Sequence, residues 1–446
     1  MKNSALRSTR VVCPDGVRPA TVTIVGERIE GVLDHDAAPP NVHDLGNAVI
    51  APGLVDCHVH VNEPGRTEWE GFESATRAAA AGGVTTIVDM PLNCLPVTTT
   101  GAALETKLAA CEARCFTDVG FWGGVIPGNT LDLPELARGG VLGCKAFLVH
   151  SGIDEFPNVT EQDLLAAMPV LRDLNLPLLA HAELDLCSSG GQGSPRTYRT
   201  YLESRPPAWE DAAIALLIRL CRVTRCPVHI VHLSSASSVE QLRDAKAEGL
   251  PITVETCPHY LCFEAEGIPD GATHFKCAPP IRERANRERL WQALFEGVID
   301  FVITDHSPCV PELKLPEVGD FQAAWGGIAS LQLGLSAVWT EAAKRGATLL
   351  HMSEWLSAAP ARFAGLGQRK GRIQAGYLAD LVVWDPDGRF TPSPERLFFR
   401  HKLSPYLGAP LSGVVRETWL GGRRIYDGHE HSAAPLGKPL LGRGTA

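Results

Sequence analysis

Apolar and polar positions in the first fifty residues form short runs rich in β-branched side chains. Arg10–Val12 and Ala20–Val25 are separated by the turn-forming Pro14-Asp15-Gly16, and Ile29–Leu33 follows Gly26-Glu27-Arg28. These runs predict short strands, and no helical period occurs among them. From about residue 48 the pattern changes. Val49–Val59 precedes the helix-compatible Trp69–Ala81, and Val84–Asp89 precedes Gly101–Ala113. Further strands are predicted at Val119–Trp122, Gly143–Leu148, Pro177–His181, Val228–Leu233, Ile252–Glu255 and Phe301–Thr304. Helical segments at Glu161–Leu174, Asp211–Leu220 and Ser238–Ala247 lie between several of them. Such alternation predicts a parallel α/β architecture, and the number of repeats suits a (β/α)8 TIM-type barrel better than an open sheet. After about residue 370 short strands return at Gly371–Ile373, Leu381–Trp384, Gly413–Leu420 and Arg423–Tyr426. The expected organisation is a barrel over 51–368 and a small β-sandwich formed by both chain termini, from 1–50 and 369–430. The Gly/Pro-rich stretch 431–446 is expected to be a loosely ordered tail.

Composition narrows the possibilities. The chain has 446 residues, of which 45% are hydrophobic and 21% charged, enough apolar material for a sizeable core. The net charge of −10 disfavours a nucleic-acid partner or an anionic membrane surface. No apolar run reaches the roughly 18 residues of a spanning helix, and no signal-peptide pattern follows Met1. The 13 cysteines are scattered without a C-x-x-C pair, so reduced thiols in a cytoplasmic protein are expected. Cys57, Cys144, Cys226 and Cys262 lie in or beside apolar runs and read as small buried hydrophobes.

The strongest chemical signal is His58-Val59-His60, which follows the apolar Ala51–Val55. Residues i and i+2 of a strand face the same side, so the two imidazoles form a ready metal pair. In a barrel, the C-terminal strand ends face the active-site mouth. A chance surface H-x-H is the competing explanation, and a buried strand weakens it. His181, His232 and Asp305 also close predicted strands. Each alone is as often a satisfied polar residue as a ligand, but their common location is hard to explain by packing. His229 competes with His232; the two face opposite sides of a strand, and His232 is nearer its end. Lys145 lies inside the apolar Gly143–Leu148. A buried lysine is costly unless neutralised or paired. It either snorkels outward or is a neutral amine that has captured CO2 as a carbamate, an anionic ligand able to bridge two cations. The carbamate, Asp305 and a bridging hydroxide would nearly balance two divalent cations.

Several segments carry a family likeness. They are Ala51-Pro52-Gly53-Leu54-Val55-Asp56-Cys57-His58-Val59-His60, Asp89-Met90-Pro91-Leu92-Asn93, Glu255-Thr256-Cys257-Pro258-His259-Tyr260-Leu261, Lys276-Cys277-Ala278-Pro279-Pro280-Ile281-Arg282 and Thr304-Asp305-His306-Ser307-Pro308-Cys309. Lys370-Gly371-Arg372-Ile373 and Ala379-Asp380-Leu381-Val382 extend it. Together they resemble the amidohydrolase superfamily, within its cyclic-amide group of dihydroorotases, hydantoinases, dihydropyrimidinases and allantoinases, with the allantoinases nearest. The likeness runs from about residue 25 to 425. It implies a barrel with a terminal β-sandwich. It also implies that His58, His60, carbamylated Lys145 and Asp305 hold one divalent metal, and that Lys145, His181 and His232 hold the other. Zn2+ is expected, with Fe2+, Mn2+ and Co2+ as alternatives. Asp305 would be the catalytic proton shuttle, taking a proton from the attacking hydroxide and passing it to the leaving ring nitrogen. A homotetramer or homodimer is the family habit.

Small differences bear on the substrate. Dihydroorotases place Arg two residues after the second His of H-x-H, to grip a carboxylate. Asn62 stands here, which fits a neutral cyclic ureide opened to an acyclic product in purine and ureide nitrogen catabolism. Hydantoinases and dihydropyrimidinases place a Tyr five residues after the carbamylated Lys, where this chain has His150. Asn93 matches a ring-binding residue of the dihydroorotase relatives, although it could instead cap a turn before Pro96. Ser307 is a substrate-contact candidate or a loop cap. His306 is expected to face away from the metals. Hydantoinase-like, dihydropyrimidinase-like or dihydroorotase-like activity is the alternative within the group. A scaffold relative that has lost its ligands is the alternative outside it, and the complete ligand set here argues against that.

Overall fold

The computed structural model describes residues 4–37, 39–186 and 191–442. Its centre is a succession of parallel strands. Leu54–Val59, Val84–Asp89 and Asp118–Phe121 pair in order. Gly123–Gly124 continues past Trp122 and pairs with Cys144–Phe147, after which come Leu178–His181, Val228–Ile230, Ile252–Thr256 and Phe301–Val302. A parallel bridge between Val59 and His306 brings the first strand to the segment after the last, and the His60 N–H donates to the His306 carbonyl at 2.8 Å. Helices return the chain between strands. Several start at caps legible in the sequence, such as the box in which Thr160 and Asp163 satisfy each other's backbone N–H groups ahead of Glu161–Asp173. One apolar core fills the strands and the inner helix faces, with Val55, Val59, Ile87, Phe121, Ala146 and Leu179 all enclosed.

Both chain ends contribute to a separate eight-stranded sheet. Leu381–Phe390 pairs antiparallel with Leu411–Leu420 on one side and Val49–Pro52 on the other. Ser4–Cys13 follows Val49–Pro52, then Gly16–Val25 and Arg28–Asp34. A second apolar cluster, including Leu6, Val22, Ile24, Ile50 and Leu381, lies under this sheet.

Three local expectations are corrected. The apolar run Val49–Val59 is two strands, not one. Val49–Pro52 belongs to the terminal sheet and Leu54–Val59 to the central strands. The break is Gly53, where a Cβ would lie 2.4 Å from the Thr85 side chain, so the chain can turn between sheets only without one. Gly371–Ile373 is not a strand. Gly371 has φ +84°, and a Cβ there would lie 2.7 Å from the Ser357 carbonyl oxygen, which bends the chain out of extended form. The tail is anchored through residue 442. Pro439–Leu440 pairs parallel with Asp118–Phe121, and the Gly437 N–H donates to the Cys115 carbonyl at 2.8 Å. The tail thus pairs at Val119 and Gly120, while Cys144 and Lys145 pair further along at Gly123 and Gly124. No helix among the described residues is long and apolar enough to cross a membrane. The described cysteines carry no disulfide.

Candidate active site

His58 is the penultimate residue of Leu54–Val59 and His60 follows the strand; Lys145 lies on Cys144–Phe147, and His181 ends Leu178–His181. His232 and Asp305 come shortly after Val228–Ile230 and Phe301–Val302. These six side chains meet in one buried group. Lys145 Nζ lies 3.2 Å from His58 Nε2. Asp305 Oδ1 lies 3.2 Å from His58 Nε2 and 3.6 Å from His60 Nε2. His181 Nδ1 lies 3.0 Å from His232 Nε2, and the His58 and His232 rings are 5.3 Å apart. His232 (φ +39°) and Asp305 (φ +44°) sit in left-handed backbone. Non-glycine residues adopt it at a cost, and such strain collects at functional sites.

The protonation pattern suits cation binding. Burial holds His58, His60 and His232 well below the usual histidine pKa, and lowers His181 as well, so all four are neutral. His58 Nδ1 pairs with Glu255 Oε1 at 2.5 Å, which turns Nε2 toward Lys145 and Asp305. Burial lowers the Lys145 pKa, and the nearby Asp305 and Glu255 carboxylates only partly oppose it. Burial raises the Asp305 pKa, opposed by Lys145. Lone pairs and a carboxylate set this close, with His232 Nδ1 buried and without a partner among the described residues, form a donor set that fits divalent cations. Donor atoms of His58, His232 and Asp305 all lie within 4.8 Å of one another. His229 is elsewhere: its ring stacks on Phe301 and its Nδ1 meets Thr253 Oγ1 at 2.8 Å.

The other expected residues divide. Asn62 and Asn93 are buried in left-handed backbone, and the Oδ1 of each has no partner among the described residues. Asn62 Nδ2 donates to the Pro308 carbonyl at 3.1 Å, so its oxygen is the free end. Ser307 donates its hydroxyl to Asp305 Oδ1 at 2.8 Å. His150 is held within its own loop, its Nδ1 accepting from the Gly152 N–H at 3.1 Å, with the side chain 59% exposed at the rim. His306 turns away, its Nδ1 accepting from the Ser330 N–H at 3.1 Å.

A cavity of about 540 Å³ opens onto His181 and is lined by Phe147, Tyr201, Arg205, Lys276 and Trp325. Sequence reasoning assigned none of these five, because a mouth assembled from separate loops has no period or spacing. It also gave no role to Glu183 and Glu255, the carboxylates behind His181 and His58. The signal for Glu255 was present, since it begins the Glu255–Leu261 segment.

A sequence profile described as the amidohydrolase family matches residues 49–425. The chain belongs to the amidohydrolase family. Among curated proteins, this amidohydrolase is 52% identical to an allantoinase of Streptomyces avermitilis, over 94% of each chain. It is 44% identical to an allantoinase of Saccharomyces cerevisiae, over 99% of each chain. Among solved structures it resembles an L-hydantoinase (dihydropyrimidinase) from Arthrobacter aurescens, with TM-score 0.92, 26% identity, and coverage of 99% and 100% of the two chains. A dihydropyrimidinase from Brevibacillus agri superposes with TM-score 0.89 and 25% identity, over 100% of both chains.

Proposed function

We propose that this amidohydrolase opens the ring of allantoin by hydrolysing its cyclic amide to give allantoate. The observation that carries the reading is the pair of buried, unpartnered Oδ1 atoms on Asn62 and Asn93. Two acceptors suit the N–H groups of a neutral ureide ring, whereas a carboxylated ring would bring acceptor against acceptor. The names of the curated relatives support the same substrate. We read the parallel strands as a closed (β/α)8 barrel, supported by the Val59–His306 bridge, and the terminal sheet as one layer of a small sandwich.

In this reading His58, His60, Lys145 and Asp305 would hold one divalent cation, and Lys145, His181 and His232 the other, with Lys145 carbamylated. When bound, such a cation pair supplies Lewis acidity toward the ring carbonyl and makes water acidic enough to act as nucleophile near neutral pH. Asp305 takes the proton of the attacking water and gives it to the ring nitrogen as the C–N bond breaks. Its raised pKa suits a group that must both accept and release a proton. Ser307 holds the carboxylate during that exchange. Asn62 and Asn93 orient the ring by accepting its N–H groups.

The test is ring opening of allantoin, dihydroorotate, hydantoin and dihydrouracil, measured side by side. We expect allantoin to exceed the others by about a hundredfold or more, roughly 2.7 kcal/mol. Hydantoin or dihydrouracil in front would overturn the substrate while leaving the hydrolytic chemistry intact.

A further inference from the structure

Glu183 takes no part in the scheme above. It lies two residues after His181 and is fully enclosed. Its Oε2 lies 2.7 Å from His181 Nε2. Arg205 grips the same carboxylate with both arms of its fork, Nε to Oε1 at 3.1 Å and Nη2 to Oε2. That two-armed contact pairs Glu183 with a guanidinium, so its oxygens face His181 as acceptors. An ionised carboxylate can only accept, so the proton of neutral His181 sits on Nε2. Nδ1 then carries the lone pair, and it is the nitrogen that faces His232. His58 is turned the other way, with Nδ1 toward Glu255 and Nε2 toward the cluster.

Arg205 is itself fixed from several sides. It packs over Trp209 at 5.4 Å and immediately precedes Pro206 and Pro207, where helix Pro207–Thr224 begins. Its carbonyl accepts from Arg282 Nη1 at 3.2 Å, and Arg282 is locked to the buried Glu210 at 2.7 Å. It also lines the cavity. We infer that Glu183 and Arg205 are a positioning pair that locks His181 in its Nε2–H tautomer and presents Nδ1 to a cation. The inference rests on the proposed role of His181 as a ligand. Carboxylates behind ligating histidines raise metal affinity, and their loss commonly costs about 10–100-fold.

The experiment is a cobalt(II) titration of metal-free protein supplied with bicarbonate, followed by visible absorption. Wild type should bind two equivalents. Glu183→Gln, whose amide no longer selects one tautomer, should bind one equivalent about 10–100-fold more weakly, with an altered cobalt spectrum. Arg205→Lys keeps the charge but loses the fork, and should show a smaller loss at the same equivalent. Wild-type affinity and spectrum in both variants would overturn the positioning role. If Glu183→Gln fails to fold by circular dichroism, Arg205→Lys decides by the same criterion. A wild-type protein that binds no cobalt would instead overturn the cation reading itself, and this inference with it.

Discussion

The Lys145 amine lies 3.2 Å from His58 Nε2, a fully buried base set against the lone pair of another. Burial lowers its pKa, which favours the neutral amine that capture of CO2 would require. The carbamate so formed would replace a crowded, charge-poor contact with an anionic ligand. Lys145→Ala should therefore lose bound metal and activity together. A short carboxylate such as propionate, added at high concentration, should restore part of both. Full metal content and full rate in the variant, measured by elemental analysis and turnover, would rule out the carbamate.

Asp305 is expected to carry the proton. Asp305→Asn should lower kcat by about 10²–10⁴-fold in folded protein that still holds some metal. Ser307→Ala removes one hydrogen bond to a charged group and should cost about tenfold, with little change in KM. Near-wild-type turnover in Asp305→Asn would assign the proton transfer elsewhere.

Lys276 gives a pH-dependent prediction away from the cation site. Among the described residues its ammonium donates to the Gln322 and Ala324 carbonyls, and burial together with Lys314 lowers its pKa to about 7. A depressed lysine releases its proton in the folded state before the unfolded one does. Between about pH 7 and 10.5 the unfolded chain binds more protons, so this group makes stability rise with pH, by at most about 1.4 kcal/mol per unit. Below about 7 the contribution is lost. Urea denaturation across that range should show a shallower slope for Lys276→Met than for wild type. Identical slopes would mean that Lys276 titrates as an ordinary lysine.

Lys370 joins three parts of the molecule. Its buried amine reaches Asp118 at 2.7 Å and also Asp380, while the Lys438 N–H of the tail donates to Asp118 at 2.9 Å. Lys370→Met strands two carboxylates and should cost about 3–5 kcal/mol in urea denaturation. Adding Asp380→Asn should recover part of that loss. A cost below about 1 kcal/mol would show that water replaces the ammonium.

The sequence alone determined which residues stand at the strand ends. Strand alternation puts His58 and His60 on one side, and an apolar run ending in a polar residue marks His181, His232 and Asp305. Those are local properties, set by backbone period and by the cost of leaving apolar strands in water. What only the tertiary structure decided depends on groups far apart along the chain. Glu255 meets His58 across 197 residues, and no local pattern encodes that pairing. Gly53 breaks a continuous apolar run because Thr85 approaches it from another strand. The tail pairs with Asp118–Phe121 through only Pro439–Leu440, too short to show a period. The same holds for the tautomers. The sequence does not say which of a histidine's two distinct nitrogens carries the proton, and the group that the fold places behind the ring chooses between them.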